Sequence, residues 1–389
     1  MIKVEIIHDE SFYQERDRRI DLLNRLMEEE NLDALLFTST AQQTFQMGVK
    51  WATFYPLITR RDFCFVAKNE MPYLIVPTSG QAYNASKQSW LPEDHVVGGP
   101  METTIVALIK KLGKEPRLGI YTPDELPALY YKALVETGSE LIDITEKMTF
   151  LRAPKSPWEL NLVNAASNLA IDTLEWVIEN VKPGITERVL IGGAEGYLRA
   201  HGAEDSLVLC RSIKPHTFIT RATNEEIQPE GMFVYSAEVC GPGGYWSQAV
   251  RPIFLKQGAF PNAEIALKTT KAALKEALKV ARPGYQICDI DTTIDNVVRN
   301  MGCKKGAWSG HGMGADLGDG IDIVASNKMP ICKGMVLTLH PSVICDDDGV
   351  LYGNTYLITE GDPVCLTPGY ESCMIKEMIQ ELRNKPKLT

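Results

Sequence analysis

The sequence predicts a two-domain protein, with an α/β domain over residues 1–150 and an α+β domain over residues 151–389. Three observations lead to this prediction. A chain of 389 residues is too long for one ordinary core and suits two domains. Strand-like apolar runs alternate with helical patterns in the first domain. A pattern of helix, Pro-Gly stop and second helix then occurs twice, which indicates a duplicated second domain.

The first domain shows this alternation in order. Residues 12–30 and 101–112 place apolar residues at helical spacing, which predicts two amphipathic helices. Short apolar runs that end at turn residues predict strands. These runs cover residues 32–37, 63–66, 73–76 and 117–121. Strands that alternate with helices favour a partly parallel sheet.

The second domain begins with a helix-start signal, Ser156-Pro157. Long helices are predicted over residues 158–181, 187–199 and 263–281, and the first and third end at Pro183-Gly184 and Pro283-Gly284. Strands are predicted over residues 232–240, 245–254, 335–339 and 355–359. Helices that cover one face of an antiparallel sheet are the simplest arrangement of these elements.

Composition and charge exclude several classes of partner. The net charge is −10 and the pI is about 5.3, so neither nucleic acid nor an anionic membrane is an expected partner. No run approaches the ~18 apolar residues of a membrane helix, and residues 1–5 lack the apolar core of a signal peptide. The nine cysteines are scattered and form no C-x-x-C pair, which predicts free, buried thiols in a reducing, cytoplasmic protein.

Five motifs follow one another through residues 151–389. They are Leu151-Arg152-Ala153-Pro154-Lys155-Ser156-Pro157-Trp158-Glu159, Gly244-Tyr245-Trp246-Ser247-Gln248, Gly310-His311-Gly312-Met313-Gly314, Met335-Val336-Leu337-Thr338-Leu339-His340-Pro341 and Asn354-Thr355-Tyr356-Leu357-Ile358-Thr359-Glu360-Gly361. In this order they resemble motifs of the creatinase, prolidase and methionine aminopeptidase family. Residues 32–37 and 43–48 resemble a segment of that family's N-terminal domain. The resemblance implies a pita-bread C-terminal domain and a smaller creatinase-like α/β N-terminal domain.

The resemblance also implies where a metal centre would lie. Metal-dependent members of the family hold two divalent ions with two aspartates, one histidine and two glutamates. Those positions fall here on Ala237, Gln248, His311, His340 and Gly353. Only the histidine is retained, and neutral groups cannot balance two divalent ions ~3.5–4 Å apart. No cofactor is therefore predicted, although Glu238, if turned inward, could form a single-ion site with His311 and His340.

The motifs of the family's scaffold are present although the metal ligands are not. This favours a site with a changed chemistry over a site that has lost its activity. The resemblance to creatinase implies a precedent for catalysis without metal, because creatinase cleaves a C–N bond with a histidine and no metal ion. Histidine suits this task since its pKa of ~6.5 permits proton transfer in both directions. The sequence therefore predicts a creatinase-like, metal-independent hydrolase or lyase for a small carboxylate-bearing substrate. The alternatives are an Xaa-Pro dipeptidase-like metallohydrolase and a catalytically silent peptidase-like binding module.

His311 and His340 are the predicted acid/base pair, with Gln248 as their hydrogen-bond partner. Four further residues are predicted to bind the substrate, namely His216, Tyr245, Arg61 and Arg251. Arg61 resembles the creatinase arginine that reaches a substrate carboxylate across a dimer, and this implies a homodimer.

The two histidines are expected within a few ångströms of each other. Like charges lower each other's pKa, so one ring is expected to be a neutral base and the other a charged or hydrogen-bonded acid. Strand alternation is expected to point Glu238 away from the side that Ala237 faces.

Overall fold

The structure, a computed structural model, describes residues 8–39, 48–56, 61–306 and 308–370. The N-terminal residues 1–5 and the motif residues 43–47 considered above lie outside these ranges. The described chain divides into two compact units. The N-terminal unit comprises residues 8–152 with the short segment 315–319, and the C-terminal unit comprises residues 153–314 and 320–370.

The N-terminal unit is a mixed six-stranded sheet with helices. Its helices are α1 (Glu10–Glu29), α2 (Val49–Thr53), α3 (Ser79–Gln88), α4 (Met101–Lys111), α5 (Ala128–Glu136) and α6 (Thr145–Arg152). Its strands are β1 (Ala34–Thr38), β2 (Phe63–Ala67), β3 (Tyr73–Val76), β4 (Val96–Gly98), β5 (Arg117–Tyr121) and β6 (Glu140–Asp143). The strand order is β4-β3-β2-β1-β5-β6, and β1 runs antiparallel to β2 but parallel to β5. The sheet is therefore partly parallel, as predicted.

A buried arginine explains why a distant segment belongs to the N-terminal unit. Arg152 donates hydrogen bonds to Asp316 at 2.6 Å and to Asp319 at 2.7 Å, and all three side chains are buried. A buried ion pair needs such close, hydrogen-bonded partners to offset the loss of hydration. Residues 315–319 are held in this unit by these contacts.

The C-terminal unit contains the larger sheet. Its helices are α7 (Pro157–Asn180), α8 (Glu187–Ala200), α9 (Pro261–Ala277) and α10 (Ile287–Asn300). The strands from residue 205 onward are β7 (Asp205–Arg211), β8 (Met232–Cys240), β9 (Trp246–Phe254), β10 (Lys304–Lys305), β11 (Gly310–Met313), β12 (Leu317–Asp322), β13 (Val336–Leu339), β14 (Ser342–Cys345), β15 (Asp348–Leu351), β16 (Gly353–Leu357) and β17 (Val364–Cys365). The large sheet has the order β12-β11-β13-β16-β9-β8-β7 with β17 beside β16, and β10-β14-β15 form a smaller sheet.

The duplicated pattern in the sequence corresponds to two helix pairs. Helices α7 and α8 share one apolar cluster with β7, β8 and β9, whereas α9 and α10 share another that includes residues of β13 to β16. Each Pro-Gly stop places its glycine in the left-handed region, with φ of 80° at Gly184 and 96° at Gly284. Glycine is favoured there because a Cβ atom would be strained. The chain thus turns from one helix toward the next at equivalent points.

A disulfide contradicts the expectation that every cysteine is a free thiol. Cys303 and Cys345 are bonded across 42 residues, because β10 pairs with β14 and brings the two positions together. The free thiols in the described ranges are Cys64, Cys210, Cys240, Cys288, Cys332 and Cys365, and only the first three are buried. The spacing of the cysteines in the sequence could not reveal this disulfide, because the two cysteines meet only through strand pairing.

Candidate active site

A row of side chains crosses one face of the large sheet. His311 on β11 pairs with Thr338 on β13, which pairs with Thr355 on β16. The Thr355 hydroxyl accepts a hydrogen bond from the backbone N–H of Gln248 on β9 and donates one to its carbonyl, at 3.0 and 2.9 Å. Gln248 in turn pairs with Glu238 on β8. Directly paired residues of neighbouring strands point to the same face of a sheet, so the strand register brings these side chains together.

The two threonines of this row were missed by the sequence analysis. Their hydroxyls are 2.8 Å apart, and they join the strand that precedes His340 to the strand that begins at Gly353. Each lies two residues from one of those family ligand positions. Strand alternation from His340 and Gly353 was the signal that could have identified them.

Glu238, and not Ala237, faces the site, which corrects the sequence-based expectation. The β8–β9 register sets Glu238 opposite Gln248 and sets Ala237 opposite Ala249. Ala237 consequently points to the opposite face, where it belongs to the apolar cluster with α7 and α8. A carboxyl group one residue after the first ligand position therefore faces the site.

Gln248 fixes the Glu238 carboxyl. Its amide nitrogen donates to Glu238 Oε1 at 2.9 Å and to the Ser236 hydroxyl at 3.0 Å. Glu238 Oε1 also lies 4.0 Å from Nε2 of His311, which is beyond hydrogen-bond length. Burial raises the pKa of Glu238 to about 8, so this carboxyl holds its proton at neutral pH.

His311 and His340 come together as predicted, with ring centroids 5.0 Å apart and an interplanar angle of 67°. The predicted division into a neutral base and a charged or hydrogen-bonded acid stays a prediction. Burial, and then the neighbouring His311, lower the pKa of His340 to about 3. Burial also lowers the pKa of His311, although the Gly312 carbonyl and Asp322 act in the opposite direction. Burial thus favours the neutral form of both rings.

The position of the last family glutamate is occupied by backbone. A Cβ atom placed on Gly353 would overlap the Leu339 carbonyl oxygen and lie 2.5 Å from both Cα and Cβ of His340. The chain at His340 therefore fills the space that a carboxylate would need. Since Gln248 and His340 are also neutral, these residues do not fit a dinuclear metal centre.

These residues also do not form the single-ion site that was the alternative for Glu238, His311 and His340. Within residues 8–39, 48–56, 61–306 and 308–370, no group of three or more His, Cys, Asp or Glu side chains is placed to hold a metal ion. Glu238, His311 and His340 share the site, but the Glu238 carboxyl is held instead by the Gln248 amide.

Replacing Gly353 with alanine should destabilise the protein by about 2 kcal/mol or more, because overpacking of a tight contact forces the backbone to shift. Chemical denaturation would measure the change in the free energy of unfolding. Gly361→Ala is the matched control, since a Cβ atom there meets only the Thr359 hydroxyl at 3.9 Å. Equal stability of the two variants would contradict the close approach of Gly353 and His340.

His216 is buried and paired with an acidic residue that the sequence analysis did not consider. Its Nδ1 lies 2.9 and 3.0 Å from the two carboxylate oxygens of Asp348, and its backbone N–H donates to the same carboxylate. Its Nε2 is buried and makes no hydrogen bond. The next residue, Thr217, bonds with Ser342, two residues beyond His340. His216 thus remains a candidate substrate-binding residue beside the site.

Tyr245 and Arg251 both make hydrogen bonds within the scaffold. The Tyr245 hydroxyl donates to Glu159 at 2.8 Å, and Glu159 caps α7 together with Ser156. Arg251 is fully buried and donates to the Gly353 and Thr367 carbonyls and to the Asn354 side chain. Their predicted roles in substrate binding stay predictions.

Arg61 lies in the N-terminal unit. Its Nη1 donates to the carbonyl oxygen of Glu125 at 2.6 Å, and the side chain is half-buried. Its predicted role in substrate binding stays a prediction.

These features define a class of protein: a two-domain scaffold with a buried polar site on the large sheet of its C-terminal unit. The model of metallopeptidase family M24 matches residues 161–360, just over half of the chain, and the creatinase/prolidase N-terminal domain matches residues 19–153. The chain belongs to family M24, whose members are hydrolases that act on C–N bonds. The predicted pita-bread fold with a creatinase-like N-terminal domain is confirmed.

Individual relatives are distant. An uncharacterized peptidase of Bacillus subtilis is 26% identical over 276 residues, which cover 68% of this chain and 76% of the relative. An Xaa-Pro dipeptidase of Pyrococcus horikoshii is 25% identical over 268 residues, 67% of this chain and 73% of that protein. The crystal structure of a Pyrococcus horikoshii OT3 prolidase superposes with a TM-score of 0.76 at 20% identity, over 90% of this chain and 98% of that one. At this identity the likeness establishes the fold alone.

Proposed function

We propose that this family member hydrolyses a C–N bond in a small substrate with its histidines and Glu238 in place of a dinuclear centre. The observation that carries the proposal is the contact between Gly353 and His340, which leaves no room for the last metal-binding carboxylate. The same site retains a buried cluster of proton-transferring groups. A metal-independent, creatinase-like reaction is the function this geometry supports best.

The roles follow from the hydrogen bonds. His311 Nδ1 faces the Gly312 carbonyl at 2.9 Å, so Nδ1 carries the ring hydrogen and Nε2 carries a lone pair. As a water oxygen bonds to the substrate carbon, His311 Nε2 takes the water proton. The imidazolium then returns that proton to the nitrogen as the C–N bond breaks, so one ring serves first as base and then as acid. His340, whose ring centroid lies 5.0 Å from that of His311, would orient the water.

An Xaa-Pro dipeptidase is the second candidate, and the relatives favour it. The named relatives are peptidases or Xaa-Pro dipeptidases. Metal-dependent members of the family use a dinuclear centre, which these residues do not fit. The comparisons thus favour the peptidase, whereas the site favours the metal-independent reaction. A catalytically silent binding module is the third candidate.

A substrate screen separates the three candidates. The purified chain would be assayed for released amine or ammonia on small amides, amidines, guanidino acids and Xaa-Pro dipeptides, with a chelator or with added manganese or cobalt. We expect turnover of a small substrate that the chelator does not reduce. Turnover of Xaa-Pro dipeptides only with added metal would establish the second candidate. Binding of a substrate panel member with no turnover would favour the third.

A carboxylate on the substrate would require Arg61 of the partner subunit, so this part of the proposal depends on a dimer. We expect light scattering at micromolar concentration to give a dimer, and Arg61→Ala to raise KM for carboxylate-bearing substrates with little change for matched esters or amides. A fully active monomer would remove Arg61 from the site.

A cytoplasmic location also remains a proposal. No helix in the described parts of the chain is long and apolar enough to cross a membrane. The bond between Cys303 and Cys345 weighs against the cytoplasm, because stable disulfides are rare in reducing compartments.

A further inference from the structure

The disulfide between Cys303 and Cys345 closes the outer end of a two-stranded antiparallel ribbon. One side of this ribbon is formed by residues 303–306 and 308–312, and the other by residues 337–345. From the disulfide inward, the paired residues are Lys304–Ile344, Lys305–Val343, Gly310–Leu339, His311–Thr338 and Gly312–Leu337. The disulfide and His311 therefore lie on the same ribbon.

His340 lies where the register of this ribbon changes. Its backbone N–H donates to the carbonyl of Ser309, on the opposite strand, at 2.9 Å. The first strand advances five positions from Lys305 to Gly310, whereas the second strand advances only four positions between their partners. One strand thus carries an extra residue, as in a β-bulge, which interrupts the ladder and turns nearby side chains. The backbone at His340 is held from both sides of this interruption.

The outer part of the ribbon is short. Strand β10 has only two residues, and a ladder of that length is marginal without further support. Strand β14 is also paired with β15, so residues 303–306 are the part that would loosen without the disulfide. The contact of Lys305 with Asp291 on α10 keeps this part from detaching. The disulfide joins positions 42 residues apart, and a bond that closes so long a loop contributes strongly to stability.

We propose that the bond between Cys303 and Cys345 is a redox modification site, which a dithiol protein reductant cleaves to loosen the ribbon beside His340. The cleavage itself does not depend on the proposed function. Its effect on turnover does, because His340 belongs to the proposed site. In a cytoplasmic protein, the location proposed above, a disulfide that forms is usually transient and redox-sensing.

The position of the bond agrees with this assignment. Each of its two cysteines is 6% exposed. Exposed residues lie directly beside them, namely Gly302, Lys304, Asp346 and Asp347. Two surface turns therefore cover the bond, and a small movement of either turn gives a reductant access to it.

The exchange reaction is balanced in atoms and electrons. A thiolate of the reductant attacks Cys345 Sγ, the S–S bond breaks, and Cys303 leaves as a thiolate that takes up a proton. The second thiol of the reductant then attacks the mixed disulfide and releases Cys345. The chain gains two electrons and two protons, and the reductant leaves as a disulfide. Cys303 is the better leaving group because the Thr269 hydroxyl, 3.5 Å away, can donate a hydrogen bond to its sulfur.

Hydrogen exchange of the full chain, measured by mass spectrometry with and without thioredoxin and excess dithiothreitol, would test the proposal. Alkylation of the native protein would map the thiols that appear, and we expect them at Cys303 and Cys345. Reduction should speed exchange of residues 303–306 by at least about tenfold and leave β15 unchanged. It should also lower kcat on the substrate found by the screen by at least about tenfold, because a small displacement of a catalytic group has a large effect.

Two variants complete the experiment. The double variant Cys303→Ser/Cys345→Ser should exchange like the reduced wild type, with or without the reductant. Cys288→Ser is the matched control, because Cys288 is a half-buried free cysteine in the same unit. This variant should respond to reduction like the wild type. If the double variant does not fold, the comparison of oxidised and reduced wild type decides.

The outcomes separate this proposal from the proposed function. Alkylation of both cysteines in a chain purified in air without reductant, or cleavage only after unfolding, would overturn the redox site. Equal exchange of residues 303–306 in the two states would overturn its link to the ribbon. Faster exchange in a chain without turnover in either state would refute the proposed function and leave the redox site standing. Equal turnover of the oxidised and reduced chains would support the proposed function and overturn redox control of it.

Discussion

Replacing either His311 or His340 with alanine should lower kcat by about two to four orders of magnitude, the usual contribution of general acid–base catalysis. The two rings are 5.0 Å apart in a buried site, and the lone pair of His311 Nε2 is the base of the proposed reaction. The double variant should be little worse than the His311 variant, because groups that act as one unit are not additive. Steady-state kinetics on the substrate found by the screen would measure these values.

His201→Ala is the matched control for this experiment. His201 ends α8 and stacks on Tyr197, within the same unit, and it has no place in the site. Its variant should keep the wild-type kcat. Full turnover by His340→Ala would show that His340 only fills the space beside Gly353. Full turnover by His311→Ala would refute the proposed reaction.

The Glu238→Gln variant should gain stability relative to the wild type as the pH rises. Burial raises the pKa of Glu238 from 4.5 to about 8, so between these values the folded chain holds a proton that the unfolded chain releases. This carboxyl's contribution to stability is fully present below pH 4.5 and is lost as the pH rises through 8. Each pKa unit corresponds to about 1.4 kcal/mol, so the variant should gain several kcal/mol over the wild type between pH 5 and pH 9.

Denaturant unfolding of both proteins at pH 5 and pH 9 would measure this gain. The groups packed around Glu238 are the neutral Gln248 and Ser236, with His311 at 4.0 Å, and they are unchanged in the variant. Glu230→Gln should show no such pH dependence, because Glu230 is exposed. An identical stability difference at the two pH values would mean that Glu238 ionises normally in the folded protein.

Much of the fold was predictable because its elements have strong local signals. The Ser156-Pro157 start, the Pro-Gly stops and the apolar periodicity correspond to the observed α7, α8 and α9, and the predicted strands at residues 73–76 and 117–121 match β3 and β5. Short elements such as α2 and β4 were missed, since five or three residues carry too little periodicity. The disulfide was missed because it depends on strand pairing.

The site was predictable only in part. The resemblance to the family's motifs located Gln248, His311 and His340, and the structure brings them together. It placed the first ligand position on Ala237 because a shift of one residue in a strand cannot be read from spacing, although it moves every side chain to the opposite face. The register then determines that Glu238 shares a face with Gln248, and that the hydroxyls of Thr338 and Thr355 bond with each other. The lowered pKa of both histidines depends on burial, which the motif did not reveal.

Metal content of the purified protein tests the central claim most directly. The protein would be incubated with excess manganese, cobalt, zinc and iron in turn, desalted, and analysed by mass spectrometry alongside its activity. We predict that it retains no stoichiometric metal and that a chelator leaves turnover unchanged, because Gln248, His340 and Gly353 cannot supply the carboxylates of a dinuclear centre. Two tightly held ions per chain, lost together with activity on chelation, would contradict this account and establish a metallopeptidase.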